Sequence, residues 1–376
     1  MRARDVLETL TRRDLSREES TTAFHQLLTG EYSDIEMAGV LVALKTRGET
    51  PEIMAGAVEA LLSSVLPFPR PDYRFADCCG TGGDGASTLN ISTAAAFVAA
   101  ELGIPMAKTG NRSVSSRCGS ADVLEHLGVR LDPAPEVSRR CLDEVGICFV
   151  FAPQYHPGVG NAAPVRRALG VRTVFNLVGP MANAARPEWQ MMGIYDPELC
   201  EGAARTLQLL GREVALVLHG SGLDEVALHG PTTGVLLKDG ELRHITIDPA
   251  DAGLAEAPVS ALGGAGPEEN AALLTRLLEG RGAPAHADAV SINVGVLAWI
   301  TGFASTLRQG TELARQALDG GGGARRLSRL AELSHLIRPA TATWLGTESN
   351  RRHADFQSAA LPTELPSRHY TDRTHN

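Results

Sequence analysis

Four glycines fall within the six residues 80–85, in the segment Asp77-Cys-Cys-Gly-Thr-Gly-Gly-Asp-Gly-Ala-Ser-Thr-Leu-Asn-Ile-Ser-Thr93. An apolar stretch precedes them, and Ser92 opens a run with helical character. A glycine loop between a strand and a helix N-terminus exposes backbone N–H groups on one concave surface. The helix dipole adds positive potential there, so the place suits a phosphate or diphosphate. A tight turn needing only positive φ is the plainer reading. The spacing is neither that of the P-loop nor that of the dinucleotide fingerprint. Asn90, Ser92 and Thr93 follow at once with side-chain donors that a plain turn does not need.

A second polar loop strengthens the ligand reading. Residues 108–120, Lys-Thr-Gly-Asn-Arg-Ser-Val-Ser-Ser-Arg-Cys-Gly-Ser, carry three cations (Lys108, Arg112, Arg117) and follow a strand-like run over 104–107. Ser120 reads as the N-cap of a helix over 121–127. Two such loops at the ends of successive strands mark the place where open α/β sheets bind ligands.

The wider chain supplies the frame. The first 65 residues read as helices without strands, with capping boxes at Ser16/Glu19 and Ser33/Glu36 and a cap-plus-proline start at Thr50-Pro51. Ile35, Ala38, Val40, Leu41, Val42 and Leu44 make one helix apolar around much of its circumference. A proline-rich linker over 66–71 follows. Strands are expected over 74–79, 104–107, 147–151, 191–195 and 213–218. Helices are expected over 92–102 and 198–210 between them, and over 267–279 and 285–300 after them. That alternation predicts a mostly parallel sheet covered on both faces, and Asp239-Gly240 reads as a hairpin turn. The tail over 336–376 lacks apolar periodicity and reads as disordered. Its piece 348–365 resembles the translation of a transfer-RNA gene, and no function is assigned to it.

A net charge of −9 argues against general nucleic-acid binding. The six cysteines form no CxxC pair and read as buried structural thiols. No apolar run reaches transmembrane length and no signal-peptide core is present, so the cytoplasm is the expected location.

The motifs GTGGDG, NIST, K-x-GNR-x-VSS and GSADVLE-x-LGV, followed by FAPQYHP (151–157), APVRRALGVRTVFNLVGP (163–180) and HGSGLDE (219–225), occur in that order. Together they resemble anthranilate phosphoribosyltransferase, over about residues 6–333. The resemblance implies an α/β fold like that of nucleoside phosphorylases and phosphoribosyltransferases. It comprises a small helical dimerisation domain (1–65) and a catalytic α/β domain (72–335). The implied reaction moves phosphoribosyl from 5-phosphoribosyl 1-diphosphate to anthranilate, the second step from chorismate to tryptophan, with Mg2+ as cofactor and a homodimer as the working form. Neither nucleic acid nor membrane is an expected partner.

Matched residue by residue, the resemblance places donor contacts at Gly80, Gly83, Asp84, Thr88, Asn90, Ile91, Ser92, Thr93, Lys108 and Ser120. The loop Thr109, Gly110, Asn111, Arg112, Ser113, Val114, Ser115 and Ser116 belongs to the same binding set. Magnesium positions match Ser92, Asp224 and Glu225. Asn111 and Arg166 match acceptor contacts, and Lys108, Asn111 and Arg166 form the catalytic set. A guanidinium opposite a benzoate carboxylate makes chemical sense, since its fork pairs both oxygens; Arg167 beside it reads as a surface residue. The chain departs from the usual pattern at Thr109 (commonly His), at Gly158-Val-Gly-Asn161 after His156-Pro157 (commonly soon basic), and at Ala184 after Asn183 (commonly Pro). The first two bear on the acceptor side. Same-fold alternatives are a nucleoside phosphorylase or a transferase with another acceptor; a non-catalytic nucleic-acid-binding relative would show a degraded glycine loop and a basic surface.

Overall fold

The computed structural model describes residues 1–113 and 117–336. The tail expectation falls on 337–376 save for Leu336 and so lies outside the described residues.

Four helices open the chain: α1 (Ala3–Leu10), α2 (Arg17–Leu28), α3 (Asp34–Arg47) and α4 (Pro51–Ser63). Their starts are chemically marked. Ser16 Oγ accepts from Glu19 N at 3.2 Å while Glu19 Oε2 accepts from Ser16 N at 2.9 Å. Ser33 and Glu36 repeat the exchange, and Thr50 Oγ1 caps α4 by accepting from Ile53 N, with Pro51 at the first helical position.

Strands and helices then alternate: β1 (Ala76–Gly80), α5 (Ile91–Glu101), β2 (Met106–Gly110), α6 (Ser120–His126), α7 (Pro135–Val145), β3 (Ile147–Phe151) and α8 (Ala152–Tyr155). There follow α9 (Ala163–Leu169), α10 (Val174–Met181), β4 (Trp189–Gly193), α11 (Cys200–Leu209) and β5 (Val214–His219). A hairpin, β6 (Thr232–Lys238) and β7 (Glu241–Ile247), precedes four helices: α12 (Pro267–Leu278), α13 (Pro284–Thr301), α14 (Leu307–Asp319) and α15 (Gly322–Ser334). Asp239 and Gly240 both have positive φ, 54° and 77°, as a two-residue hairpin turn of the primed kind requires.

The seven strands run in the order β3-β2-β1-β4-β5-β6-β7. The first five are parallel, and β6 and β7 are antiparallel. Strand order reverses between β1 and β4, so a crevice opens beyond their carboxyl ends. Both sheet faces are covered. Along β5, Leu216 and Leu218 enter one core with α5, α13 and α15, while Ala215 and Val217 enter a second. That second core contains the buried faces of α1–α4 together with residues of α9, α10 and α11. The N-terminal helices therefore share their core with later elements and with the sheet.

One expectation about α3 changes. Val40, Leu41 and Leu44 are buried in this second core, whereas Ile35 is 85% exposed and Val42 42%. The phase of the helix is set by where its neighbours lie, and an all-round apolar helix does not disclose it.

Candidate active site

The site forms where β1, β2, β4 and β5 end. Beyond β1 the glycine loop leaves the sheet, and beyond β5 the loop 220–225 folds back over the same strand ends. The two meet through glycines. A Cβ on Gly80 would lie 2.1 Å from Asp224 Oδ2, and one on Gly193, at the end of β4, would lie 1.6 Å from the Asp224 carbonyl oxygen. Only hydrogen leaves room for the acidic loop to seat there. Gly82 N then donates to Asp224 Oδ2 at 2.6 Å, and Ser92 N, in the first turn of α5, donates to Glu225 Oε1 at 3.0 Å. The acidic pair is thus held by backbone donors of the glycine loop and of a helix N-terminus.

These carboxylates outnumber the cations near them. Burial pushes the Asp224 pKa up, and the neighbouring Asp84 charge adds to it. Burial likewise raises Glu225, with Asp224 adding and Lys108 opposing. Crowded carboxylates of this kind take up either protons or a divalent cation. Among the described residues no group of three or more His, Cys, Asp or Glu side chains forms a closed metal cage. Two carboxylates and a serine hydroxyl fit a hard cation that keeps waters and shares itself with substrate phosphates, as Mg2+ does.

Lys108, on β2, is 2% exposed. Its Nζ donates to the Cys78 carbonyl at 2.8 Å and reaches Ser92 Oγ at 3.4 Å. It sits beneath the site and orients Ser92. Below it, Asp77 accepts from Thr109 N at 3.0 Å and from Asn183 Nδ2 at 2.9 Å. Burial pushes the Asp77 pKa up to about 6 against the pull of Lys108. Neither Asp77 nor Asn183 is among the site residues that the sequence marks. The available signal is a carboxylate inside an otherwise apolar strand, which must find partners.

Other expected residues divide between ligand-facing and framework positions. Ser120 is not the cap of α6 but its first residue. Gly119 occupies the cap, and Asp122 Oδ2 accepts from Gly119 N and Ser113 N, each at 2.9 Å. The Ser120 hydroxyl, only 3.4 Å from the Asn111 carbonyl, is thereby spared capping duty. Asn90 caps α5 without a side-chain bond to it; its amide donates to the Cys118 carbonyl and accepts from Asn270, both at 3.0 Å. Ile91 and Thr93 are buried in the first turn of α5. Thr109 is buried too, Gly110 packs against Ser120 and Phe149, and Thr88 bridges to Gly263.

Arg112, expected in the ligand-binding loop, is taken up within the protein: its guanidinium is forked onto Glu125 at 2.8 and 2.9 Å and also reaches Asp122. Two acidic residues about one helical turn apart on α6 claim it. Val114, Ser115 and Ser116 lie outside the described residues.

Arg166, on α9, packs with its Cζ 5.1 Å from the Phe175 ring centroid. Burial alone lowers its pKa, with no carboxylate among the described residues opposing it. A half-buried, unpaired guanidinium beside an aromatic ring suits a planar aromatic anion. Arg167 is exposed. The departure at 158–161 has a packing counterpart: Asn161 Nδ2 donates to the Leu28 carbonyl at 2.7 Å, and a Cβ on Gly158 would come within 3.0 Å of the same oxygen. This stretch docks on the end of α2. His156 Nε2 lies 2.7 Å from the Ala182 carbonyl, and burial lowers its pKa, favouring a neutral ring.

Comparison with known proteins finds relatives over most of the chain. Residues 72–324 match the family model described as "Glycosyl transferase family, a/b domain", and residues 4–65 match "Glycosyl transferase family, helical bundle domain". An anthranilate phosphoribosyltransferase of Sorangium cellulosum is 61% identical over 321 residues, covering 85% of this chain and 92% of its own length. That of Aeromonas hydrophila is 52% identical over 321 residues, covering 85% and 94%. The crystal structure of the Thermus thermophilus enzyme superposes with a TM-score of 0.84 at 41% identity, covering 88% of this chain and 100% of that one. The Saccharomyces cerevisiae enzyme in complex with PRPP and Mg superposes with a TM-score of 0.81 at 25% identity, covering 88% and 97%.

Proposed function

Because the chain belongs to the anthranilate phosphoribosyltransferases, we propose that its site transfers the phosphoribosyl group of 5-phosphoribosyl 1-diphosphate to the amine of anthranilate. The products are N-(5-phosphoribosyl)anthranilate and diphosphate. The observation that carries the reading is the pair of buried carboxylates, Asp224 and Glu225, clasped by N–H groups of the glycine loop and of α5.

The reaction breaks the bond between the anomeric carbon and diphosphate while positive charge builds on the ribose ring. Bound Mg2+ supplies charge neutralisation at the diphosphate. Asp224, Glu225 and Ser92 would hold it. The glycine loop, Asp84, Thr88 and the Ser120 hydroxyl would face the donor, while Asn90 braces the start of α5 through Cys118 and Asn270. Lys108 keeps Ser92 and Glu225 in register from below. Arg166 pairs the acceptor carboxylate, Asn111 would supply a further acceptor contact, and the aniline nitrogen attacks the anomeric carbon in line as diphosphate departs. The amine is a neutral nucleophile that sheds one proton after attack, so no strong general base is demanded.

The working form is a homodimer that buries the exposed apolar face of α3, where Ile35 and Val42 stand free. Six unpaired, buried thiols support a reducing compartment, the cytoplasm; among the described residues no helix is long and apolar enough to cross a membrane. The test is loss of anthranilate fluorescence when phosphoribosyl diphosphate and Mg2+ are added. No fluorescence loss under any metal condition would overturn the reading, and loss only with a different aromatic amine would correct the acceptor.

A further inference from the structure

Arg172 lies in the short link between α9 and α10, six residues after Arg166 and three before Phe175. Its Nη2 donates to the carbonyl of Gly83 in the glycine loop, and its guanidinium lies 4.0 Å from the centroid of the Tyr195 ring. Tyr195 follows β4, rests against the second core, and donates its N–H to Thr81 Oγ1 at 3.2 Å. Thr81 N in turn donates to the Gly193 carbonyl at 3.0 Å. The first residues of the glycine loop are therefore stitched to the end of β4 by hydrogen bonds. Its next turn is pinned from the other side by one arginine. A Cβ on Gly83 would sit 3.4 Å from Arg172 Nε, so the guanidinium closes tightly over the turn.

Among the described residues Arg172 takes part in no ion pair. Its anchors are a carbonyl and an aromatic face. The fit is one of shape: a flat fork meets both at once, and an ammonium does not. The helices that flank this link carry the Arg166–Phe175 pair, Arg166 on α9 and Phe175 on α10.

We infer that Arg172 is a positioning residue: it holds the glycine loop with its N–H groups turned toward the donor diphosphate, and it ties that loop to the segment that binds the acceptor. The inference rests on the phosphoribosyl-transfer reading. It predicts that the two substrates report on each other through this residue, with donor binding weakened first when it is lost.

The test uses the full chain with Arg172→Ala, Arg172→Lys and Tyr195→Leu beside the wild type. The wild type must first bind phosphoribosyl diphosphate with Mg2+ in calorimetry; failure there defeats the functional reading and not the clamp. Given that, Arg172→Ala should raise the donor KM about tenfold or more while kcat falls less. Anthranilate binding without donor should change less than about twofold, and any tightening of anthranilate by donor should shrink. In the ligand-free protein, amide exchange over residues 82–86 should quicken with the melting temperature held. Arg172→Lys should recover little, and Tyr195→Leu should move the donor KM in the same direction even where Arg172→Ala fails to fold. A donor KM within about twofold of wild type overturns the inference. So does full rescue by lysine, which would reduce the role to net charge, or an equal rise in both KM values.

Discussion

At the scale of single residues, the site is governed by what is missing as much as by what is present. Gly80 and Gly193 leave space that the Asp224 carboxylate and backbone fill. The buried acids that result need a cation. Asp224→Asn with Glu225→Gln should abolish most activity and, in calorimetry, the Mg2+ dependence of donor binding; an active double variant in chelator-treated buffer would refute the metal assignment. Arg166→Ala should raise the anthranilate KM about 30-fold, near 2 kcal/mol, with donor KM almost unchanged. Equal damage to both substrates would show that Arg166 does not sort them. Much of this is legible in the sequence, because the GTGGDG, NIST and DE motifs sit at strand ends. What cannot be read there is which polar and charged groups the protein keeps for itself. Arg112 is taken up by Glu125, Lys108 is folded beneath Ser92, and Asn90 braces Asn270. Those pairings join residues brought together only by the fold.

At the scale of elements, local chemistry predicts starts and turns well and orientation poorly. The capping boxes of α2 and α3 and the hairpin turn at Asp239-Gly240 stand where side-chain hydrogen bonding and positive φ place them. Helix α6 begins one residue early, because Asp122 reaches back to cap Gly119. Helix α3 shows the harder case, since its rotation follows from α1 and α9 packing on it. The face left over, Ile35 and Val42, is the one the proposed homodimer would bury. Ile35→Glu with Val42→Lys should shift the protein from dimer to monomer in sedimentation at micromolar concentration without lowering its helix content. A wild type that sediments as a monomer would remove the proposed interface.

At the scale of the whole molecule, a buried acid in the central strand couples stability to pH. Asp77 titrates near 4 when unfolded and is pushed up to about 6 when folded. A raised folded value means that the stabilising contribution is complete below about pH 4 and lost as pH rises through 6. At neutral pH the ionised form forgoes about 3 kcal/mol relative to acid. Asp77→Asn does not titrate, so the stability of wild type relative to this variant should fall between about pH 4 and 6 and level off above. A constant difference across that window would show that Asp77 is not the titrating group.

The sharing of the second core between the first four helices and α9–α11 has a further meaning during synthesis. The helices emerge from the ribosome first, yet strand β6, whose Val235 and Leu237 help to close their core, follows about 170 residues later. At cellular elongation rates that is a delay of about 10–35 s. Until the stretch from residue 157 through α11 emerges, part-way through that interval, the apolar faces of α2 and α4 have no native partner outside the first four helices, and they are natural binding places for a chaperone. Arrested nascent chains that expose only the first 65 residues should be cut readily by protease within α2 and α4. Chains that expose everything through Lys238 should resist. Early protection would mean that the four helices hold together unaided, whatever they later share.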